Sequence, residues 1–169
     1  GILDHWGGNA YIIDQTSEGV TNRRAIGTEI RYSDDALSMY SLIDYDTIFR
    51  GLNAVSFQGT FLAPAQTSIT LLLDARKAPS LQLTNALISS GAVSLNTLLQ
   101  LKSLEQVTAD ARATSATAKQ ALLSLSRPVT DRWQLGVDLR YSEVWALPAV
   151  GLFEATPATG AQYQLSTLL

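Results

Sequence analysis

The stretch Arg127-Pro-Val-Thr-Asp-Arg-Trp-Gln-Leu-Gly-Val-Asp-Leu-Arg-Tyr-Ser142 decides how the rest of the chain is read. After a short polar turn, one parity runs Trp133, Leu135, Val137, Leu139, Tyr141. The other runs Gln134, Gly136, Asp138, Arg140, Ser142. Side chains on a strand alternate faces with a period of two, so one face is wholly apolar with an aromatic at each end. The opposite face is polar and charged. Trp133 to Tyr141 spans roughly 26 Å along a strand, or about 20 Å normal to a slab that the strand crosses obliquely. That matches the apolar height of a membrane-spanning strand between its aromatic girdles. A soluble strand would bury the same face in a core, so recurrence of the pattern has to separate the two.

The pattern recurs. Ile69, Leu71, Leu73 and Ala75 alternate with Ser68, Thr70, Asp74 and Arg76, with Leu72 the exception. Ile26, Thr28, Ile30 and Tyr32 oppose Gly27, Glu29, Arg31 and Ser33, and Val55, Phe57, Gly59 and Phe61 oppose Ala54, Ser56, Gln58 and Thr60. Ala121, Leu123 and Leu125 lie opposite Gln120, Leu122, Ser124 and Ser126, and Tyr163 and Leu165 lie opposite Gln162, Gln164 and Ser166. Fainter versions cover Trp6 to Gln15 and Leu37 to Thr47. Eight strands of membrane-crossing length follow.

Connection lengths sort by side. Ser33-Asp34-Asp35, Ala63 to Gln66 and Arg127 to Asp131 are short, with the Pro, Asp and Ser of tight turns. The long connections, Ala78 to Ala113 and Val144 to Gly160, fall on the other side, with the short ones at Ser17 to Asn22 and Ile48 to Gly51. Short turns at one end and longer loops at the other is the asymmetry of outer-membrane barrels. In the first long connection, Leu98, Leu101, Leu104, Val107 and Ala111 at helical spacing behind Ser94 predict one amphipathic helix over Ser94–Arg112, packed on the rim or folded into the lumen.

Composition excludes more than it identifies. A net charge of −3 without a basic cluster argues against a nucleic-acid partner. With no Cys, neither a disulfide framework nor a thiolate metal site is available. No run of about 18 apolar residues offers a transmembrane helix. The opening Gly-Ile-Leu-Asp has no basic and apolar signal regions, which leaves a processed chain or an internal piece. No phosphate loop, zinc-protease or serine-hydrolase motif occurs, and His5 is the sole histidine, so no enzyme, cofactor or metal is expected.

The candidate functional residues are charges on the polar parity: Glu29 with Arg31, Asp44 with Asp46, Asp74 with Arg76, and Asp138 with Arg140. Spacing of two puts each pair on one face, where they form either a structural ion-pair ladder or a field that a passing solute meets. Asp44 and Asp46 lie at a separation compatible with paired-carboxylate chemistry, but no supporting group accompanies them. Trp133, Tyr141 and Tyr163, with Phe57 and Phe61, read as membrane-interface and lipid-facing residues.

The hairpin Ser124 to Ser142 resembles the strand–periplasmic turn–strand units of Gram-negative outer-membrane barrels. Together with Tyr11 to Gln15, Asn22 to Gly27, Leu42 to Asp46 and Leu73 to Leu81, it is similar to barrel regions of large envelope proteins bearing tetratricopeptide repeats upstream. The resemblance implies outer-membrane lipid as a partner, the bacterial outer membrane as location, and a link to polymer or polysaccharide export. The chain carries no such repeats, and Thr167-Leu-Leu169 lacks a terminal aromatic, which favours a piece of a larger barrel. The expectation is thus a single all-β domain over 1–169: an antiparallel up-and-down transmembrane β-barrel, or part of one, acting as a pore or export conduit. The alternatives are a small filled barrel serving as an anchor or adhesin, and a soluble all-β binding domain.

Overall fold

The computed structural model describes residues 2–145 and 158–168, and side chains over 4–144. Eight strands follow one another as an antiparallel meander in the order β1-β2-β3-β4-β5-β6-β7-β8. They are β1 (Trp6–Ser17), β2 (Val20–Ser33), β3 (Leu37–Asp46), β4 (Gly51–Ala63), β5 (Thr67–Ala78), β6 (Ala116–Thr130), β7 (Trp133–Trp145) and β8 (Ala158–Leu168). Each alternating stretch in the sequence lies on one of them. The sheet is open: among the described residues no pairing joins β1 to β8, so the expected closed barrel is not present as such.

The turns sort as their composition demands. Asp34 organises the β2–β3 turn, its Oδ1 accepting the N–H groups of Ala36 (2.8 Å) and Leu37 (2.7 Å). The β1–β2 hairpin turns on Glu18 and Gly19, both at positive φ (54° and 78°), which suits the twist of the flanking strands. The turn expected over Arg127–Asp131 is shorter than that, because β6 continues to Thr130 and only Asp131 and Arg132 lie outside the strands. Thr130 Oγ1 accepts the N–H groups of Arg132 (3.3 Å) and Trp133 (3.1 Å) across the turn. Pro128, which has no N–H to give, is tolerated beside a bulge that leaves Val129 unpaired. The irregular loop expected over Val144–Gly160 falls largely on 146–157, outside the described residues.

The single helix expected over Ser94–Arg112 is two. Ser94 does cap α2 (Leu95–Leu101), accepting from Thr97 N–H, but the helix ends at Lys102 in extended backbone. Ser103 then starts α3 (Leu104–Ala113) with a capping box completed by Gln106, so a second start signal breaks what apolar spacing alone reads as continuous. A 3-10 turn at Leu83–Asn85 and the short α1 (Ala86–Ser90) precede them. These segments bury Leu83, Leu95, Leu98, Val107 and Ala111 around Phe49 of the β3–β4 turn. This is the apolar core of the described chain, and it caps the end of the sheet where β1–β2 and β3–β4 turn.

Two β-bulges hold the cap. Register skips Asn22 in β2 and Asn53 in β4, and a bulged residue is re-aimed relative to its neighbours. Both side chains are buried, Asn22 Oδ1 accepting Thr84 N–H and Asn53 Oδ1 accepting Leu81 N–H, each at 2.9 Å. Asn96 adds a pair of bonds to Glu18 in the first hairpin.

The sheet itself is inverted relative to a soluble one. Among its described residues Ala25 is the one buried apolar side chain, whereas Asn22, Asp44, Asp46, Asn53 and Asp74 are buried. Ile12, Ile26, Ile30, Phe61, Leu73, Leu123, Leu139 and Tyr141 are exposed on the other face. That apolar band slants across the strands. On β2 it runs Ile26–Tyr32, centred at Glu29, whose register row passes through Leu42, Ser56, Asp74 and Gln120 to Ser142 on β7. The β7 band, Trp133–Tyr141, is centred instead at Val137. A drift of five residues over the five steps from β2 to β7 corresponds to a tilt of roughly 35°. Including β1, whose band Trp6–Ile12 centres in the row of Glu29, lowers it to roughly 30°.

Candidate functional site: the charged face of the sheet

All eight charges singled out in the sequence lie on the polar face, and the structure divides them into two groups. The first is a cluster near the capped end. Arg23, which the sequence reading did not single out, donates from Nη2 to both oxygens of Asp44 (3.0 and 2.9 Å). Its Nε stands 3.8 Å from Asp46 Oδ2. Asp46 is fully buried, and its Oδ1 accepts the N–H groups of Ile48 and Phe49 at 2.9 Å, nucleating the β3–β4 turn. Asp44 and Asp46 are therefore not a free carboxylate pair. One is held by an arginine and the other serves as a turn anchor.

Tyr11 completes this cluster from β1. In register Tyr11 stands opposite Gly27, and Gly27 opposite Asp44. The phenol lies over the glycine, where a Cβ would come within 2.2 Å of Tyr11 Cζ, and donates to Asp44 Oδ2 at 3.0 Å. The sequence signal was the lone glycine inside a strand pattern, a mark of close approach by another group.

The second group consists of three acid–x–arginine units on β2, β5 and β7. Arg31 pairs with Glu29 at 3.1 Å, Arg76 grips Asp74 through Nε (2.8 Å) and Nη2 (2.5 Å), and Arg140 stands 3.8 Å from Asp138. In every unit the acid is sunk towards the sheet and the guanidinium stands clear. Side-chain exposure is 23% against 64% for Glu29 and Arg31, 4% against 56% for Asp74 and Arg76, and 23% against 51% for Asp138 and Arg140. Ser124 Oγ further satisfies Asp138 at 2.5 Å, and Arg31 lies 5.4 Å from the Tyr40 ring centroid. Leu72 and Leu122, breaks in the polar parity of β5 and β6, stand opposite each other in register.

On the apolar face, charge is confined to the margins of the band. Asp14 and Arg24 pair at 2.9 Å just beyond Ile12 and Ile26, and Lys119 and Glu143 lie 3.6 Å apart just beyond Ala121 and Tyr141. Both pairs are at the capped end. At the opposite end Trp6 packs on Tyr32, ring centroids 4.8 Å apart, and Trp133 is exposed. Tyr163 occupies the β8 position opposite Leu139, its side chain outside the described set. His5 Nδ1 lies 2.9 Å from the carbonyl oxygen of Ser33 at the same end.

No helix among the described residues is long and apolar enough to cross a membrane, which says nothing of strands. The described residues hold no group of three or more His, Asp or Glu placed to bind a metal ion. No protein-family model, curated protein or solved structure matches this chain.

Proposed function

We propose that this sheet is the wall of a transmembrane β-barrel in a bacterial outer membrane, working as a pore or export conduit. The observation that carries the reading is the inversion of the sheet: a continuous exposed apolar band on one face, and buried carboxylates and amides on the other. Water opposes the first arrangement, since apolar area costs about 25 cal/mol per Å² when left wet, whereas the buried carboxylates are paired by Arg23 and Arg76 or bonded in a turn. Lipid on the outside removes that objection, and a wet lumen suits the polar face. Three further features agree with it. Charged pairs and aromatics bound the band at its two ends, the strands cross it at an angle close to that of membrane barrels, and the helices pack on the sheet's end without covering its apolar face. In lipid an unpaired strand edge is not viable, so the free edges of β1 and β8 meet partners in the assembled wall, either each other or further strands.

Labelling of single cysteines tests this directly, because the chain has none of its own. Cysteines replacing Leu123, Leu139 or Ile30 should be shielded from a membrane-impermeant maleimide in lipid vesicles. Cysteines replacing Gln58 or Gln120 should react through the aqueous lumen. A chain that remains folded and monomeric in buffer without detergent overturns the reading.

A further inference from the structure

The three acid–x–arginine units share a geometry that formal charge conceals. Counting residues, the polar face is close to neutral, with Glu29, Asp44, Asp46, Asp74 and Asp138 set against Arg23, Arg31, Arg76 and Arg140. What a solute meets is different. Asp44 is covered by Arg23 and Tyr11, Asp46 is fully buried in its turn, and Asp74 is gripped by two donors of Arg76. The groups that stand out are the guanidiniums of Arg31, Arg76 and Arg140, each more than half exposed.

An arginine has five N–H donors in a planar fork. Arg76 uses two on its own acid, and Arg31 one. Donors remain on each for a second oxyanion, and the guanidinium geometry matches carboxylate or phosphate oxygens. Glu29 and Asp74 act as orienting groups, each accepting from its own arginine, and Asp138 stands 3.8 Å from Arg140; each acid is less exposed than the guanidinium beside it. Register spreads the three donors around and along the face. Arg31 on β2 and Arg140 on β7 share a row, five strand spacings or about 24 Å apart. Arg76 on β5 lies four residues closer to the capped end, in the row of Asp44. An anion leaving one guanidinium therefore has others within the same face, at different depths.

Resting on the reading of this face as a lumen, we propose that Arg31, Arg76 and Arg140 form an anion-binding track, and that the solute class is anionic: carboxylate- or phosphate-bearing molecules or polymers. The bound groups are held by exchangeable hydrogen bonds and charge, with no covalent step, as conduction requires sites weak enough to leave.

The test is the reversal potential of the protein in planar lipid bilayers under a potassium chloride gradient. The expected result is a chloride preference of about twofold or more over potassium. Replacing all three arginines by glutamine should abolish or reverse it. Arg140→Gln alone should reduce it and provides a milder variant, because Asp138 keeps its bond from Ser124. Inorganic phosphate added to the chloride solution should slow the chloride current of the native protein and have less effect on the triple variant. A current without anion preference, or a preference unchanged by the triple variant, overturns the track and leaves the pore. Absence of any current overturns the pore reading and the track with it.

Discussion

Tyr11 reaches across Gly27 to place its hydroxyl 3.0 Å from Asp44 Oδ2, spanning three strands with one side chain. The glycine is what lets the ring pass: any Cβ at position 27 would meet Cζ, Oη and Cε2 of Tyr11 within 2.6 Å. Gly27→Ala should therefore displace the phenol and cost about 1–3 kcal/mol, the range for overpacking combined with a lost charged hydrogen bond. In a Tyr11→Ala background the same change should cost little. Urea unfolding of the four proteins of that cycle in detergent checks it; additive costs would mean that the two positions do not communicate.

The cap should be detachable from the strands. Asn22→Ala and Asn53→Ala each remove an acceptor for a backbone N–H, of Thr84 and Leu81 respectively, at about 1–3 kcal/mol apiece. Hydrogen exchange read by mass spectrometry should then rise across 81–113 while β3 to β7 keep their protection. Asn53→Asp, which retains the acceptor, should lose less than the alanine variant.

Much of this arrangement was legible in the sequence. Period-two alternation located the strands, because a face in lipid or in a core tolerates little polarity and the opposite face little else. The inverted burial extends that reading, and the eight proposed charges do lie on one face. The two bulged asparagines were not legible, since an extra residue shifts parity without changing composition. Arg23 shares the parity of Gly27, Glu29 and Arg31, and Arg24 that of Ile26 and Ile30, so alternation alone turns Arg23 to Asp44 and Arg24 to Asp14 on the other side; what the sequence hid was the partner of Arg23 and not its face. The break at Lys102 and Ser103 is not legible either, because the apolar spacing in the sequence runs straight through it. Leu72, the exception in the polar parity of β5, stands opposite Leu122 of β6, so register places two apolar residues side by side within a polar wall.

At the short-turn end, Asp34 is the group that should register acid. Tyr32 donates to it at 2.6 Å, and the N–H groups of Ala36 and Leu37 add two more bonds, so its carboxyl is held below the ordinary carboxylate value. A depressed folded-state value means the contribution is complete above the unfolded value, near 4, and is lost as pH falls through the lowered one. The stability gap between the native protein and Asp34→Asn should accordingly be widest at neutral pH and close on acidification. Urea midpoints measured from pH 7 down to 2 would show it; a gap independent of pH would mean the carboxylate is not what shapes the turn.

The slant of the apolar band makes the most discriminating prediction, because it separates depth in a membrane from position in the sheet. Ile30 and Tyr141 belong to one register row, linked through Ser41, Phe57, Leu73 and Ala121, and both are exposed on the apolar face. If the band followed the rows, an arginine would cost the same at either position. With the drift, Ile30 sits one residue from the band's centre on β2, whereas Tyr141 sits at its edge on β7, next to the Lys119–Glu143 pair. Ile30→Arg should therefore cost about 2–4 kcal/mol for folding into lipid vesicles, and Tyr141→Arg about 0–1 kcal/mol. Val137→Arg, central on β7, should match Ile30→Arg although it lies four residues along the strand from Tyr141. Folding free energies of the three variants in one lipid decide the matter. Equal costs at Ile30 and Tyr141 would mean that the strands do not cross a slab obliquely, and the membrane reading would lose one of its supports.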